Sequence, residues 1–173
     1  MHFKRPKAPT WSNMMIIGVD IGSVNCAFTK GFLENGTLHI VEASTFKLCS
    51  YKDYNIYTMS RRLTRVLKAF IGDDFISFST VECQPRVYSS FGKSKTSLVN
   101  CSIETAVVMR LKQYRIPVLS ANVTLWQRKF NVVGRDKSVQ YYLDKEYRFI
   151  KNQELLMDNH QWDAGLIALF PFK

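Results

Sequence analysis

The sequence predicts an α/β layered domain, a mixed sheet of five strands flanked by helices. Three observations lead there. Three short apolar, β-branched runs joined by turn residues open the chain between Met15 and Val41. Next comes a stretch with apolar residues at three- and four-residue intervals, and after it strand-like and helix-like periods alternate to the end. With 46% hydrophobic and 13% aromatic residues in 173, the chain holds material for one sizeable core, which argues against global disorder.

The first run, Met15 to Ile21, turns at Gly22-Ser23 and resumes at Cys26 to Phe28. After the turn Glu34-Asn35-Gly36 it resumes again through Leu38 to Val41, so the three runs read as an antiparallel meander. Tyr54, Met59, Leu63, Val66, Leu67 and Phe70 fall on one side of a helix, with Arg61, Arg62, Arg65 and Lys68 between them. FISFSTVE, Phe75 to Glu82, alternates apolar and small polar residues and reads as a fourth strand. The polar loop QPRVYSSFGKSKTS precedes a second helix, carried by Ile103, Val107, Val108, Leu111 and Tyr114 and broken before Pro117. PVLSA is a short fifth strand. The basic stretch WQRKFNVVGRDK leads into Val139, Tyr142 and Leu143 at helical spacing, and a last helix is expected from Trp162 to Phe170. The first segment, MHFKRPKAPTWSN, has Lys4, Arg5 and Lys7 with two prolines and no apolar period. It reads as a flexible basic arm, residues 1–13, ahead of one domain, residues 14–173.

Charge narrows the partners. Against 14 Asp and Glu stand 24 Lys and Arg, a formal +10, which favours a polyanion: nucleic acid first, an anionic membrane surface second. Composition alone also fits a basic protein with no such ligand. The four cysteines form no C-x-x-C pair and no matched His spacing, so neither a structural zinc site nor a disulfide framework is indicated and a reducing interior fits best. No apolar run approaches the roughly 20 residues that span a bilayer, and no signal-peptide core opens the chain. The expectation is a soluble, intracellular protein without a membrane partner.

Within this basic chain, acids stand at the ends of apolar elements. Asp20 ends the first strand and Glu82 the fourth, so both side chains would emerge at the same edge of neighbouring strands. Two carboxylates that close repel each other unless a cation neutralises them, and hard oxygen ligands suit Mg²⁺ or Mn²⁺. Asp163 opens the C-terminal helix with His160 one turn before it. If that helix packs over the strand ends, the four residues make a two-metal site, which activates water on one side of a phosphodiester and stabilises the leaving oxygen on the other. Each residue also has an ordinary reading. Asp20 would accept turn hydrogen bonds, Glu82 would pair with Arg86, Asp163 would complement the helix dipole in the first turn, and His160 would be a polar helix residue. Three acids so placed in a basic protein shift the balance toward a site.

At these residues the chain resembles the RuvC family of Holliday-junction resolvases, most of all its poxvirus-type viral members. IIGVDIGSVNCAFT is similar to the family's first motif, and VECQPR, Val81 to Arg86, to the second as the viral members have it. RKFNVVGRDKSVQYYL resembles the third motif and HQWDAGLIAL the fourth, in family order and over nearly the whole chain after Met14. The resemblance implies an RNase H-like fold, a homodimer, and Mg²⁺-dependent paired nicking of branched DNA, specifically four-way junctions, with Mn²⁺ able to substitute. It implies a role in recombination or in resolving viral replication intermediates, in the cytoplasm of the infected host cell if the source is viral. Carried over, Asp20, Glu82 and Asp163 are metal ligands, Lys137 is a catalytic lysine near the scissile phosphate, and Lys129 touches backbone phosphate. His160 stands where the family usually has an acid. Histidine occurs there in some bacterial relatives, and it is kept as a metal ligand or a positioner of water, with Asp158 as a weaker substitute.

A junction offers many phosphates and little sequence to read, so broad positive strips are expected to bind it. Arg86, Lys93 and Lys95 flank Tyr88 and Phe91 directly after Glu82, where aromatic rings can wedge into or stack on bases at the crossover. Equally, this is a surface loop with two aromatics folded back on the core. Arg128, Lys129 and Arg135 are further DNA-contact candidates, while Arg61, Arg62, Arg65, Lys112 and Arg115 read as solvated helix faces. Paired cutting calls for a C2 dimer, and the apolar face of Ile103 to Tyr114 is the candidate interface. The opening motif is also similar to the phosphate-binding strand-turn of actin-like sugar kinases and chaperone ATPases, but the chain is too short for their two domains and lacks their glycine-rich loops. An RNase H-type or single-strand nuclease, and a non-catalytic nucleic-acid-binding module, remain the rival readings.

Overall fold

The computed structural model describes residues 14–22, 24–48, 55–83, 94–134, 142, 150–151 and 156–173. The meander forms as expected. Strand β1 (Met14–Ile21) pairs antiparallel with β2 (Asn25–Glu34), and β2 pairs antiparallel with β3 (Thr37–Lys47). Asn35 and Gly36, at φ of 49° and 76°, make the two-residue turn between β2 and β3, a backbone that asparagine and glycine adopt at little cost. Helix α1 (Ile56–Ile71) is capped by the Asn55 side chain, which accepts from the amides of Tyr57 and Thr58. Strand β4 (Phe78–Cys83) then lies parallel to β1, and after α2 (Ser94–Gln113) strand β5 (Val118–Asn122) lies parallel to β4. Helix α3 (Val123–Lys129), a two-residue strand β6 (Ile150–Lys151), helix α4 (Asn159–Leu169) and a 3₁₀ turn (Phe170–Phe172) complete the described elements.

The sheet order is β5-β4-β1-β2-β3-β6, with β6 parallel to β3. It has six strands where five were expected, because a two-residue strand has no alternation to detect. Helix α2 starts at Ser94, inside the stretch read as loop, and α3, capped by Asn122, follows β5 directly and runs into the basic stretch. Helix α4 starts at Asn159, three residues before the expected Trp162.

Period two sorts the strands into two cores. Ile17, Val19 and Ile21 of β1 meet Leu63 and Leu67 of α1 and Ile103, Val107 and Leu111 of α2 on one face. Ile16 joins Leu166, Ile167 and Ala168 of α4 on the other. The expected dimer interface is corrected here: Ile103, Val107 and Leu111 are wholly buried against the sheet, so that face of α2 is core and cannot receive a partner. The basic residues Arg61, Arg62, Arg65 and Lys68 of α1 are exposed, as are Lys112 and Arg115. Lys30 is a charge the sequence did not single out. Buried in β2, it donates to the Phe70 carbonyl at 2.8 Å and pairs with Asp74 at 2.6 Å and Glu42 at 2.8 Å, which fastens the end of α1 to the sheet. Burial pulls its ammonium down, but the two carboxylates more than restore it, and its pKa stands above the ordinary value.

Candidate active site

The register of β1 and β4 makes the first pair of the site. Val19 lies opposite Val81 in parallel pairing, so the next residues, Asp20 and Glu82, stand side by side near the C-terminal ends of adjacent strands. Alternation gives both the parity of Gly18 and Thr80, which turns them away from the α1/α2 core and toward α4. On the other side of β1, the residue paired with Asp20 is Ala27, whose methyl leaves space beside the carboxylate.

Helix α4 brings the second pair. Asp158 caps it, accepting from the Gln161 amide at 2.8 Å while the Gln161 side chain accepts from the Asp158 amide at 3.1 Å, a reciprocal capping box. Thr45 of β3 donates to the other Asp158 oxygen at 2.7 Å, and Thr29 of β2 donates to the Gln161 carbonyl at 2.8 Å, so the helix start is tied to two strands. Gly18 sets how closely the helix approaches: a Cβ built there would stand 1.8 Å from the Ala164 carbonyl oxygen and 2.8 Å from the Ala168 methyl. Only a residue without a side chain lets α4 lie that near β1. His160 and Asp163, three residues apart, share one helix face, and His160 Nδ1 lies 2.9 Å from Asp20 Oδ2. Asp163 is in the second turn of α4 and not in its first, which removes the dipole explanation of its place. Asp158, weighed above as a substitute acid, has both oxygens engaged by the cap and Thr45.

Burial governs the electrostatics. Asp20, Glu82 and Asp163 are 8%, 6% and 8% exposed. Burial pushes the Glu82 carboxyl up to about 9, helped by the Asp20 charge, by a hydrogen bond shared with Asp20 and by Asp163, and opposed by the Trp126 N–H. The hydrogen bond to Asp20 raises the His160 imidazole above its ordinary value; partial burial works against the rise, and the charges of Asp20, Asp158 and Asp163 add to it. Two donors back the carboxylates. Trp126 Nε1 of α3 donates to Glu82 Oε1 at 3.2 Å, and the Tyr142 hydroxyl donates to Asp163 Oδ1 at 2.6 Å. Neither residue was read from the sequence as part of the site. The signal open to reading was a donor-bearing aromatic, Trp126 at the head of the basic stretch and Tyr142 on the helical period after it, since a buried Trp or Tyr needs a polar partner.

Among the described residues, no three His, Cys, Asp or Glu side chains stand as a ready metal cage. Instead Asp20 shares hydrogen bonds with Glu82 and His160, while Asp163 is held by Tyr142. Three carboxylates and an imidazole are nonetheless a donor set for a hard divalent ion such as Mg²⁺ or Mn²⁺, whose charge would oppose both the burial and the neighbouring carboxylates that lift Glu82. Of the other expected residues, Arg128 is exposed on α3. Lys129 leans on the far end of α4, 3.4 Å from the Phe170 carbonyl and over the Phe170 ring. Lys137, Arg86, Tyr88, Phe91, Lys93 and Arg135 lie outside the described residues, as does the side chain of Lys95 in the first turn of α2.

The strand order and the two helical layers define an RNase H-like fold. Thermus thermophilus RuvC, solved in complex with a Holliday junction substrate, matches with a TM-score of 0.70 and 14% identity over 91% of this chain and 92% of that one. The yeast mitochondrial Holliday junction resolvase Ydc2 matches at 0.58 and 14% over 94% and 81%. A large terminase from a thermophilic bacteriophage matches at 0.52 and 15% over 94% of this chain and 41% of the terminase. No protein-family profile and no curated protein sequence matches the chain. Among the described residues, no helix is long and apolar enough to cross a membrane.

Proposed function

We propose that the chain is a metal-dependent endonuclease that resolves four-way DNA junctions by paired phosphodiester hydrolysis. The observation that carries this reading is the convergence of Asp20 and Glu82, on adjacent parallel strand ends, with His160 and Asp163 from one face of α4. The formal +10 and the fold shared with RuvC and Ydc2 support a branched-DNA substrate. Asp20, Glu82 and Asp163 would hold Mg²⁺, with Mn²⁺ able to replace it, and the ion would supply positive charge beside the phosphodiester and lower the pKa of the attacking water. The chain's own residues do the rest. Mounting the acids on buried strand ends and a capped helix fixes them before substrate arrives, so no reorganisation is needed during reaction. Asp20 accepts the Nδ1 proton of His160, which sets the tautomer and leaves Nε2 to take a proton from the attacking water; the His160 side chain is 46% exposed, on the solvent side of the cluster. His160 is thus read as the positioner of water and Asp20 as the group that orients it.

Lys137 neutralises the scissile phosphate in this scheme. Arg86, Tyr88, Phe91, Lys93, Lys95, Arg128 and Arg135 contact the junction arms and crossover, and residues 1–13 form a basic arm before the domain. Cutting two strands symmetrically requires a homodimer, which must use a surface other than the buried face of α2. Such an enzyme works inside a cell, in the host cytoplasm if the source is viral. The test compares cleavage of a four-way junction, a linear duplex, an RNA–DNA hybrid and single-stranded DNA in Mg²⁺ and in Mn²⁺, for the wild type and Asp20→Asn. The junction is cut fastest, and Asp20→Asn still binds it but does not nick it. Equal rates on all substrates reject junction resolution, and cleavage that survives Asp20→Asn rejects the site.

A further inference from the structure

We propose that Trp126 and Tyr142 are positioning residues: the indole N–H and the phenol O–H each pin one oxygen of Glu82 and Asp163, and so present the second oxygen of each carboxylate to the divalent cation. This rests on the metal-dependent reading above and extends it to two residues outside the acidic cluster. A carboxylate on a flexible side chain can rotate both oxygens through many directions, and a cation site works only if that freedom is removed. One hydrogen bond to one oxygen restrains the plane of the group and decides which oxygen turns toward the other acids and the cation they would share.

The two aromatics are built for this duty. Trp126 offers a proton from its indole ring nitrogen and Tyr142 from its phenol hydroxyl, and Trp126 is donor-only, so its N–H specifies Oε1 of Glu82 as an acceptor. Trp126 is 1% exposed on α3, a helix anchored by Asn122, whose side chain accepts from the Leu125 amide at 3.2 Å. Tyr142 is wholly buried, and its ring stacks on Trp162 at a centroid distance of 5.7 Å and 8° between planes. Trp162 directly precedes Asp163 in α4, so the stack holds the phenol beside the carboxylate it serves. Apolar packing alone would be met by phenylalanine at both positions. A buried N–H and a buried O–H are placed there at the cost of desolvation, and both end on proposed metal ligands.

The test uses the full chain with Mn²⁺ alone as the binding probe, followed by electron paramagnetic resonance without DNA, and then the Mg²⁺ dependence of junction cleavage. Tyr142→Phe removes one oxygen and keeps the ring. At position 126, Trp126→Phe is compared with 3-benzothienylalanine, which keeps the bicyclic shape, lacks the N–H and fills the space that phenylalanine leaves empty. Each substitution is expected to weaken Mn²⁺ binding by roughly 10- to 100-fold, with cleavage recovering as Mg²⁺ is raised. A packing role predicts a lower Tm, an unchanged Mn²⁺ Kd and no recovery with Mg²⁺. That pattern, or wild-type affinity in the oxygen-deleted and N–H-deleted proteins, overturns the inference. A wild type that neither binds Mn²⁺ nor cuts junctions overturns the proposed function instead, whereas a wild type that does both beside variants that match it overturns only the positioning roles.

Discussion

Replacing Gly18 by alanine tests whether the closeness of α4 to β1 makes the site. The added Cβ meets the Ala164 carbonyl oxygen at 1.8 Å, whereas ordinary contacts begin near 3.4 Å, and it meets the Ala168 methyl at 2.8 Å. Both obstacles belong to the helix, one of them to its backbone, so no rotamer change relieves them. Helix α4 has to withdraw by roughly 1.5 Å at Ala164. Overpacking of this kind costs about 1 to 3 kcal/mol, which for a chain of this length lowers Tm on the order of 5 °C. The effect on reaction is larger. Asp163 adjoins Ala164, and His160 lies one turn earlier, so the same withdrawal opens the 2.9 Å contact between His160 and Asp20. A misplacement of about 1 Å in reacting groups costs on the order of 100-fold in rate. The assay pairs a thermal melt with single-turnover junction cleavage. Gly18→Ala should remain folded at about 25 °C and lose cleavage far out of proportion to stability. Wild-type rate and Tm in this variant would refute the claim that the Gly18 contact sets the site geometry.

The metal-free protein should lose stability as pH rises. The folded-state pKa of Glu82 is raised to about 9 from an ordinary 4.5, so the fold keeps a proton that the unfolded chain releases; that contribution is fully present below about 4.5 and lost as pH climbs through about 9. Thermal melts of metal-free protein between those limits should fall with pH, and Glu82→Gln should flatten the slope while abolishing cleavage; an unchanged slope in Glu82→Gln assigns the proton elsewhere. Asp158→Ala removes the α4 cap and the bond from Thr45, so it should cost about 1 to 2 kcal/mol and slow cleavage by loosening His160. Asp158→Ser, which keeps a capping oxygen, should recover most of the stability in denaturant unfolding, and an alanine variant as stable as the serine one would dismiss the cap.

Much of the fold was legible because its elements carry strong periods. The apolar, β-branched run of β1, the Asn35-Gly36 turn and the three- and four-residue spacing in α1 each act locally, and each formed where the sequence placed it. Boundaries failed where the local signal is weak. Helix α2 begins in a Ser- and Lys-rich stretch without an apolar face, β6 is two residues long, and α4 starts at a cap the eye skips when it looks for the first large apolar residue. The dimer face failed for another reason: an apolar stripe on a helix identifies a buried side but not what covers it, and in α2 the sheet does.

By itself the sequence determined which side chains carry charge and where the apolar strand runs stop, and therefore that Asp20 and Glu82 sit near the ends of buried strands in a basic chain. Periodicity is written in neighbouring residues, so it can be read without coordinates. Only the tertiary structure decided that the parallel register sets Asp20 beside Glu82, that Gly18 admits α4 close enough for His160 to touch Asp20, and that Trp126 and Tyr142 stand behind two of the acids. Those contacts join residues 21 to 140 positions apart, and their distances depend on how two layers pack, a quantity that no local period encodes.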